Sequence, residues 1–172
     1  MRQLRVRSES CHVGKSLQSM FSQCEDEYSI FNEEKRSFER GWGNVTEQAS
    51  NASSVDRAFG YQSSEQLDTH QWVVGNHHTY GSGGYVYEFR GRLQDLKSNL
   101  SQLHRANWID GQTRAVIVQF TLYNPNVQLF TSVILLAEFL ATGGIETQSS
   151  FQPISFQSNP LSLHLTKSLS LI

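Results

Sequence analysis

The clearest periodic pattern in the chain is that of a helix. Within residues 91–107, leucines recur at positions 93, 96, 100 and 103, with charged and amide side chains between them. The spacing i, i+3, i+7, i+10 places these four leucines in one stripe along a helix. We therefore predict an amphipathic helix here.

The pattern changes to period two farther along, where residues 115–139 are dense in Val, Ile, Phe and Thr. A turn is expected at residues 123–126, because Pro125 presets φ and the asparagines on either side tolerate turn geometry. A helix from Asn126 is the rival interpretation. The strict alternation and the closing Gly143 and Gly144 favour a long strand instead, paired antiparallel with residues 115–122. The alternating positions are Val127, Leu129, Thr131, Val133, Leu135, Ala137 and Phe139.

Two shorter strands are predicted between residues 70 and 89. The runs QWVV and YVYEF are rich in Val and aromatic residues, and the glycine-rich stretch GNHHTYGSGG separates them as a wide turn. The first third of the chain, to about Phe59, is expected to be irregular with short helices, and residues 42–54 are expected to be exposed. Together these patterns predict an α+β fold, an antiparallel sheet with a few helices packed on one side.

Composition indicates where such a domain resides. The 172 residues suffice for one domain, and only 17% of them are charged, so uncharged polar side chains must cover the surface. Three Asn-X-Ser/Thr sequons, at Asn44, Asn51 and Asn99, favour a secreted or luminal location. Asn99 lies about 80° from the centre of the leucine stripe, so glycosylation is expected less at Asn99 than at the other two asparagines.

Charge and hydropathy argue against several classes of protein. A net charge of −2 provides no basic surface for nucleic acid. The longest apolar run, residues 133–140, is interrupted by Glu138 and is too short to span a membrane, so we expect no span within this chain. Residues 1–13 carry three arginines without a following apolar stretch, so no signal peptide is expected there.

Candidate catalytic and metal-binding residues are sparse. His70, His77 and His78 invite a metal site, but adjacent histidines rarely converge on one ion and no Cys or carboxylate stands at ligand spacing. The acidic residues form no calcium-loop pattern, and no serine lies in a GxSxG motif. We therefore predict that the chain is not an enzyme and holds no metal or cofactor.

Several aromatic and charged residues are predicted to be structural. Trp108 is expected to anchor the core between helix and strand. Trp72, Tyr85 and Tyr87 are expected to pack as well. Arg114, at the start of a strand, is expected to pair with a carboxylate such as Asp110.

Two quoted segments carry a family resemblance. WIDGQTRAVIVQFTLYNPNVQLF (residues 108–130) and LLAEFLATGG (135–144) closely resemble the extracellular domain of polycystins. Also similar are GSGGYVYEF at 81–89, FQP at 151–153 and the opening MRQLRVRSESC. The sequence around TLYNPNVQLF resembles the polycystin-one-like branch more closely than the polycystin-two-like branch. The residues that match the family motif are Trp108, Asp110, Thr113, Arg114, Tyr123, Asn124, Asn126, Phe130, Glu138, Gly143 and Gly144.

The resemblance implies a domain over residues 1–156, followed by a divergent Ser/Leu-rich tail at 157–172. It implies an extracellular or luminal domain of a calcium-permeable cation channel subunit in the plasma or ciliary membrane. Such domains lie above the pore, touch those of other polycystin subunits, and contribute to assembly and gating. The membrane is reached through flanking helices absent from this chain, so the chain itself has no pore.

The resemblance also implies a disulfide, because Cys11 and Cys24 match positions where the family has one. A bridge over so short a loop contributes about 3 kcal/mol in an oxidising compartment. Two alternatives from other classes are kept open. One is a secreted ligand- or carbohydrate-binding module that uses the loop GNHHTYGSGGY, and the other is a hydrolase.

Overall fold

Ten strands and two helices make up the part of the chain described by the computed structural model, which comprises residues 1–8, 11, 13–17, 20, 24–45 and 52–155 (backbone only at 155). In chain order they are β1 Arg2–Arg5, β2 Phe38–Glu39, β3 Gly43–Asn44, α1 Ser54–Arg57, β4 Tyr61–Gln62, β5 Val73–Val74, β6 Thr79–Tyr80, β7 Gly84–Val86, α2 Leu93–Arg105, β8 Thr113–Asn124, β9 Leu129–Phe139 and β10 Ile145–Ser155.

Six of these strands form one antiparallel sheet in the order β10-β9-β8-β1-β7-β4. The long pair predicted by the period-two pattern is confirmed, because β8 and β9 pair continuously from Ala115 opposite Glu138 to Asn124 opposite Leu129. The rival helix from Asn126 is wrong. β10 continues the sheet as an edge strand along the whole of β9. The α+β prediction is confirmed.

The turn between β8 and β9 lies two residues later than predicted. Tyr123 and Asn124 still belong to β8, and residues 125–128 form the turn. Pro125 has no N–H to continue the ladder, which ends the strand there. Gln128 closes the turn with a positive φ of 51°.

The first residues of the chain form the middle of the sheet, which the pattern analysis did not predict. β1 pairs with β7 on one side and with β8 on the other. In this segment Gln3 and Arg5 alternate with Leu4 and Val6, and all four side chains are buried. The strand is only four residues long, and its polar positions are buried as well as its apolar ones, which the sequence pattern does not indicate.

The stretch 70–89 contains the predicted strands, but they are not partners of each other. β5 pairs with β6, with Val73 opposite Tyr80, through a turn at residues 75–78. The expected wide turn therefore contains a strand of its own. β7 pairs instead with β1 and β4.

Core residues lie on both sides of the sheet. Leu4 is opposite Ala115 and belongs to one cluster, whereas Gln3, on the other face of β1, is opposite Tyr85, which belongs to the second cluster. The second cluster takes a side chain from each helix, Val55 from α1 and Leu103 from α2, and also contains Trp108. The first cluster consists of Leu4, Val6, Tyr28, Val73, Tyr80, Ala115, Ile117, Ile134 and Leu136.

The predicted amphipathic helix is confirmed as α2, but most of its leucine stripe is not buried. Leu103 packs in the core, whereas Leu93 and Leu100 are exposed, because α2 reaches the core through its last turn. Neither helix of the described chain is long and apolar enough to cross a membrane.

Burial of the other aromatic residues is mixed. Trp108, Tyr85 and Tyr87 are buried, as predicted. Trp72 remains 52% exposed, so its predicted role in core packing is wrong. It precedes the two-residue strand β5, in which Val73 is the residue that reaches the core.

Candidate functional site

Arg5 is a buried cation at the centre of the sheet. Its Nη2 lies 2.8 Å from Oδ2 of Asp110 and also contacts Oε1 of Gln112. Its guanidinium carbon lies 3.4 Å from the centre of the Trp42 ring, close enough for a cation–π contact. Burial lowers the pKa of Arg5, and the charge of Asp110 opposes that shift. Asp110 therefore pairs with Arg5 rather than with Arg114, and the predicted Arg114–Asp110 pair is wrong.

Arg114 binds backbone carbonyl groups instead. Its Nε donates to the carbonyl of Asp26 at 2.9 Å, and its Nη1 donates to those of Gly111 at 2.8 Å and Thr113 at 2.9 Å. The motif arginine thereby fixes the segment that follows Cys24 against the start of β8.

Two further motif residues tie distant segments together. The indole Nε1 of Trp108 donates to the carbonyl of Ala58 at 2.8 Å, just after α1. The hydroxyl of Thr113 accepts a 2.6 Å hydrogen bond from Nε2 of Gln3 in β1. The predicted anchoring role of Trp108 agrees with these contacts.

The carboxylate of Glu138 holds the β5–β6 hairpin against the sheet. Glu138 lies in β9 and is 1% exposed. It accepts hydrogen bonds from the backbone N–H groups of Asn76 at 2.7 Å, His78 at 3.2 Å and His77 at 3.3 Å. The hydroxyl of Tyr80 donates a fourth, at 2.9 Å. We call these five residues the Glu138 site.

The Glu138 site is built for an ionised carboxylate. Burial alone would raise the pKa of Glu138, but the Tyr80 hydroxyl and the three N–H groups outweigh burial and hold the pKa below its ordinary value. Gly75 lies directly against this carboxylate, and a Cβ at that position would overlap it. A residue without a side chain is therefore required where the hairpin turns.

The motif glycines form the turn between β9 and β10. Gly143 has a φ of +89°, and its N–H donates to the carbonyl of Leu140 at 2.9 Å. The backbone N–H of Ala141 donates to Oε1 of Glu27 at 3.1 Å, which fastens this turn to the N-terminal segment. Positive φ explains why glycine stands at position 143.

The disulfide implied by the resemblance is present. Cys11 and Cys24 are joined, with their Cα atoms 5.6 Å apart. A cavity of about 530 Å³ separates the bridge from the β9–β10 turn, and Arg114 lines its wall. The disulfide therefore lies beside the motif residues that shape the end of the sheet.

The outer halves of β8, β9 and β10 extend beyond the core as a three-stranded ribbon. On one face, Phe120 and Phe151 are cross-strand neighbours of Val133, one on each side. Val133 is buried between them, whereas Phe120 is 41% and Phe151 62% exposed. Leu122 and Leu135 lie on the same face and are also exposed. We call Phe120, Leu122, Leu135 and Phe151 the outer ribbon surface.

The remaining motif residues form the tip of this ribbon. The rings of Tyr123 and Phe130 are cross-strand partners with centroids 4.5 Å apart. The backbone N–H of Asn126 donates to the side-chain carbonyl of Asn124 at 3.0 Å, which shapes the turn. The motif residues thus lie at four places: at or just before the start of β8, in the Glu138 site, in the β9–β10 turn and at the ribbon tip.

The three sequon asparagines differ in their surroundings. Asn44 is exposed at the end of β3. Asn99 is half-buried on α2, and its Nδ2 donates to Oγ of Ser54 at 3.5 Å. Asn51 lies outside the described residues. Whether each asparagine carries a glycan stays a prediction.

The histidines weighed as metal ligands do not converge on one another. His77 places Nε2 at 3.2 Å from Oε2 of Glu146, and His70 is exposed elsewhere. Within the described ranges, no three His, Cys, Asp or Glu side chains gather closely enough to hold a metal ion.

Four residues that shape these sites were not predicted from the sequence: Arg5, Trp42, Gly75 and Tyr80. The alternation of polar and apolar residues from Gln3 onward is a strand signal that could have placed Arg5 in the sheet. No local pattern identifies Trp42 or Gly75, since each is defined by a partner distant in the chain.

The sequence of the chain is similar to those of known proteins over most of its length. The family model described as the Polycystin domain matches residues 1–157. The chain belongs to the polycystin family. It is 36% identical to polycystin-2-like protein 2 of Mus musculus over 154 residues, and 37% identical to polycystin-2 of Danio rerio over 155, in each case 90% of this chain. Over 103 residues, 59% of this chain, it is 37% identical to human polycystin-1.

These identities do not separate the two polycystin branches, so the closer resemblance to the polycystin-one-like branch stays a prediction. The chain spans only a small part of its polycystin relatives: 22% of the mouse protein, 16% of the zebrafish protein and 2% of human polycystin-1. Residues 157–172, predicted to be a divergent tail, lie outside the described residues.

Proposed function

We propose that this polycystin-family chain is the extracellular or luminal domain of a calcium-permeable cation channel subunit in the plasma or ciliary membrane. In this proposal it catalyses no reaction and acts through contacts with neighbouring polycystin subunits. Family membership supports the proposal. So does the disulfide, which suits an oxidising compartment.

The outer ribbon surface is the observation that supports subunit contact best. Four large apolar side chains lie together on one sheet face and remain between 38% and 62% exposed. Contiguous exposed apolar surface of this kind marks protein contact sites on soluble domains. A stable interface buries about 800 Å² on each partner, so the rest of the ribbon face would be included in the contact.

The same surface supports a contribution to gating. A neighbour that packs differently on the ribbon in closed and open channels would shift the balance between them by the difference in binding free energy. Because β8, β9 and β10 form one hydrogen-bonded unit, displacement of the ribbon would move the core residues of those strands with it.

Co-purification of the tagged 172-residue chain, secreted behind an added signal peptide, with a full-length polycystin-2 subunit at the surface of the same cells tests this proposal. The double variant Phe120→Ser/Phe151→Ser should reduce co-purification at least tenfold. Leu93→Ser is the matched control, because it removes an equally exposed apolar side chain from α2, away from the ribbon.

Circular dichroism of each secreted variant establishes that it is folded. Equal co-purification of a folded double variant and the unaltered chain would refute the ribbon as the contact surface. Failure of the secreted, folded and unaltered chain to associate with polycystin-2 would count against the channel-domain proposal itself.

A further inference from the structure

A groove of about 210 Å³ lies on the sheet face opposite the outer ribbon surface. Ile134 and Leu136 of β9 form its floor, and Trp72 and Val74 of the β5 segment form one wall. Trp72 is 52% exposed and Val74 68% exposed, although both lie next to core residues. The groove thus has an apolar floor and an open aromatic wall.

The other wall of the groove is made of neutral hydrogen-bonding side chains. This wall is formed by Gln148, Ser150 and Gln152 of β10. They are alternate residues of one strand that is paired with β9, so their side chains lie on the same face of the sheet. Neither glutamine amide forms a hydrogen bond with another described side chain or backbone group. Each amide offers one acceptor and two donor hydrogens to a ligand.

The wall that carries Trp72 is held in place by two contacts. Val73 is buried against Ile134 and Leu136 in the core. The Glu138 site then fixes the turn that follows β5, through the N–H groups of residues 76–78. Both contacts lie on the C-terminal side of Trp72, so the indole is carried by a segment that is fixed immediately after it, which limits the ordering required when a ligand binds.

We propose that this groove binds a neutral hexopyranose residue of a glycan. The half-exposed indole would stack against the C–H face of the sugar ring, while the two glutamine amides and Ser150 would exchange hydrogen bonds with its hydroxyl groups. This division between one aromatic surface and a few directed polar groups is common in small-ligand sites. The proposal does not depend on the channel function above.

The chemistry of the lining favours an uncharged ligand. None of the residues that line the groove is Asp, Glu, Lys, Arg or His. A charged ligand would lose hydration there without gaining a countercharge. The neighbouring loop at 75–85, the binding loop of the carbohydrate-binding alternative, is less suited, because its N–H groups at 76–78 already bind Glu138.

The experiment uses the 172-residue chain produced in a secretory host and treated with an endoglycosidase. Isothermal titration and saturation-transfer NMR are performed with mannotriose, chitotetraose, cellotetraose and maltotetraose. We expect at least one of these neutral oligosaccharides to bind. Trp72→Ala should weaken that binding at least tenfold, and Gln148→Ala and Gln152→Ala should each weaken it severalfold.

Two variants make the result specific. Trp72→Phe keeps an aromatic ring and should retain part of the affinity. Gln119→Ala removes an exposed amide from β8, opposite Ile134 on the same sheet face but outside the groove, and should leave the affinity unchanged. Absence of binding by all four oligosaccharides at millimolar concentration, or equal binding by a folded Trp72→Ala variant, would overturn the proposal. Binding of an extended peptide in their place would overturn the assignment of a glycan.

A second arm identifies the source of the sugar. If a glycan attached to the chain itself fills the groove, free oligosaccharide binds the endoglycosidase-treated chain but not the untreated chain. If the ligand comes from outside, both forms bind it equally. Either pattern supports the groove, provided that Trp72→Ala abolishes the binding.

Discussion

The hydroxyl of Tyr80 donates a 2.9 Å hydrogen bond to the carboxylate of Glu138, which lies 58 positions later in the chain. This contact joins a two-residue strand, which has few backbone contacts of its own, to a central part of the long sheet. Isolated short hairpins are marginally stable in water, so the β5–β6 hairpin depends on such contacts.

Gly75 should not tolerate a side chain. We expect Gly75→Ala to lower the free energy of unfolding by about 1 to 3 kcal/mol, because the added methyl group displaces the Glu138 carboxylate. Urea unfolding of the purified chain measures this. Gly111→Ala is the control, since no atom lies within 4 Å of the added Cβ, and it should change stability by less than about 0.5 kcal/mol. Equal effects of the two substitutions would show that the hairpin turn is not tightly packed.

Glu138 should make folding depend on pH. Its pKa is lower in the folded chain than the ordinary value of 4.5, so its contribution to stability is present above about pH 4.5 and is lost as the pH falls through the folded value. Glu138→Gln should be less stable than the unaltered chain at pH 7 and should flatten this acid-side loss. Urea unfolding at a series of pH values tests this. A variant curve parallel to that of the unaltered chain would mean that other carboxylates cause the acid sensitivity.

Arg5 should be far more important to stability than an arginine in an exposed ion pair. Arg5→Met leaves the Asp110 carboxylate without its partner, and we expect a loss of about 3 to 5 kcal/mol. Arg90 forms a similar pair with Glu88 at 2.7 Å on the surface, so Arg90→Met should cost less than about 1 kcal/mol. Thermal or urea unfolding provides the comparison. A loss for Arg5→Met as small as that for Arg90→Met would refute a structural role for the buried pair.

Asn44 should be glycosylated more completely than Asn99 when the chain passes through a secretory pathway. Asn44 is exposed at a strand end, whereas Asn99 is half-buried on a helix and contacts Ser54. Mass spectrometry of the intact chain and of the variants Asn44→Gln and Asn99→Gln measures the occupancy of each. Higher occupancy of Asn99 would show that attachment precedes folding of α2 rather than following the accessibility seen in the fold.

The long strands and the long helix were predictable because each keeps one hydrophobic period over many residues. β8, β9 and α2 present clear periods of 2 or 3.6. β1 escaped prediction because it has four residues, two of them arginines, and is buried on both faces. A cation in the sheet centre appears polar in the sequence, yet Trp42 and Asp110 make that burial possible.

The candidate sites were less predictable than the elements. The partner of the motif residue Asp110 was not predicted, since Arg5 and Asp110 are separated by 105 positions. Glu138 seemed to interrupt an apolar strand, whereas it is the acceptor around which a hairpin folds. Trp72 was expected in the core because aromatic side chains usually bury much of their surface. No local pattern indicated that the core position would be occupied by Val73 instead.

The three long strands also have a mechanical consequence. β9 has 11 residues and so extends about 37 Å, with paired neighbours on both sides from Leu129 to Glu138. One end carries the exposed ring of Tyr123 and the half-buried ring of Phe130, and the other carries Glu138. Three paired strands of this length resist bending, so a force applied at Tyr123 or Phe130 would tilt them as a unit. The resulting torque would act at the opposite end of β9, where Glu138 holds the β5–β6 hairpin.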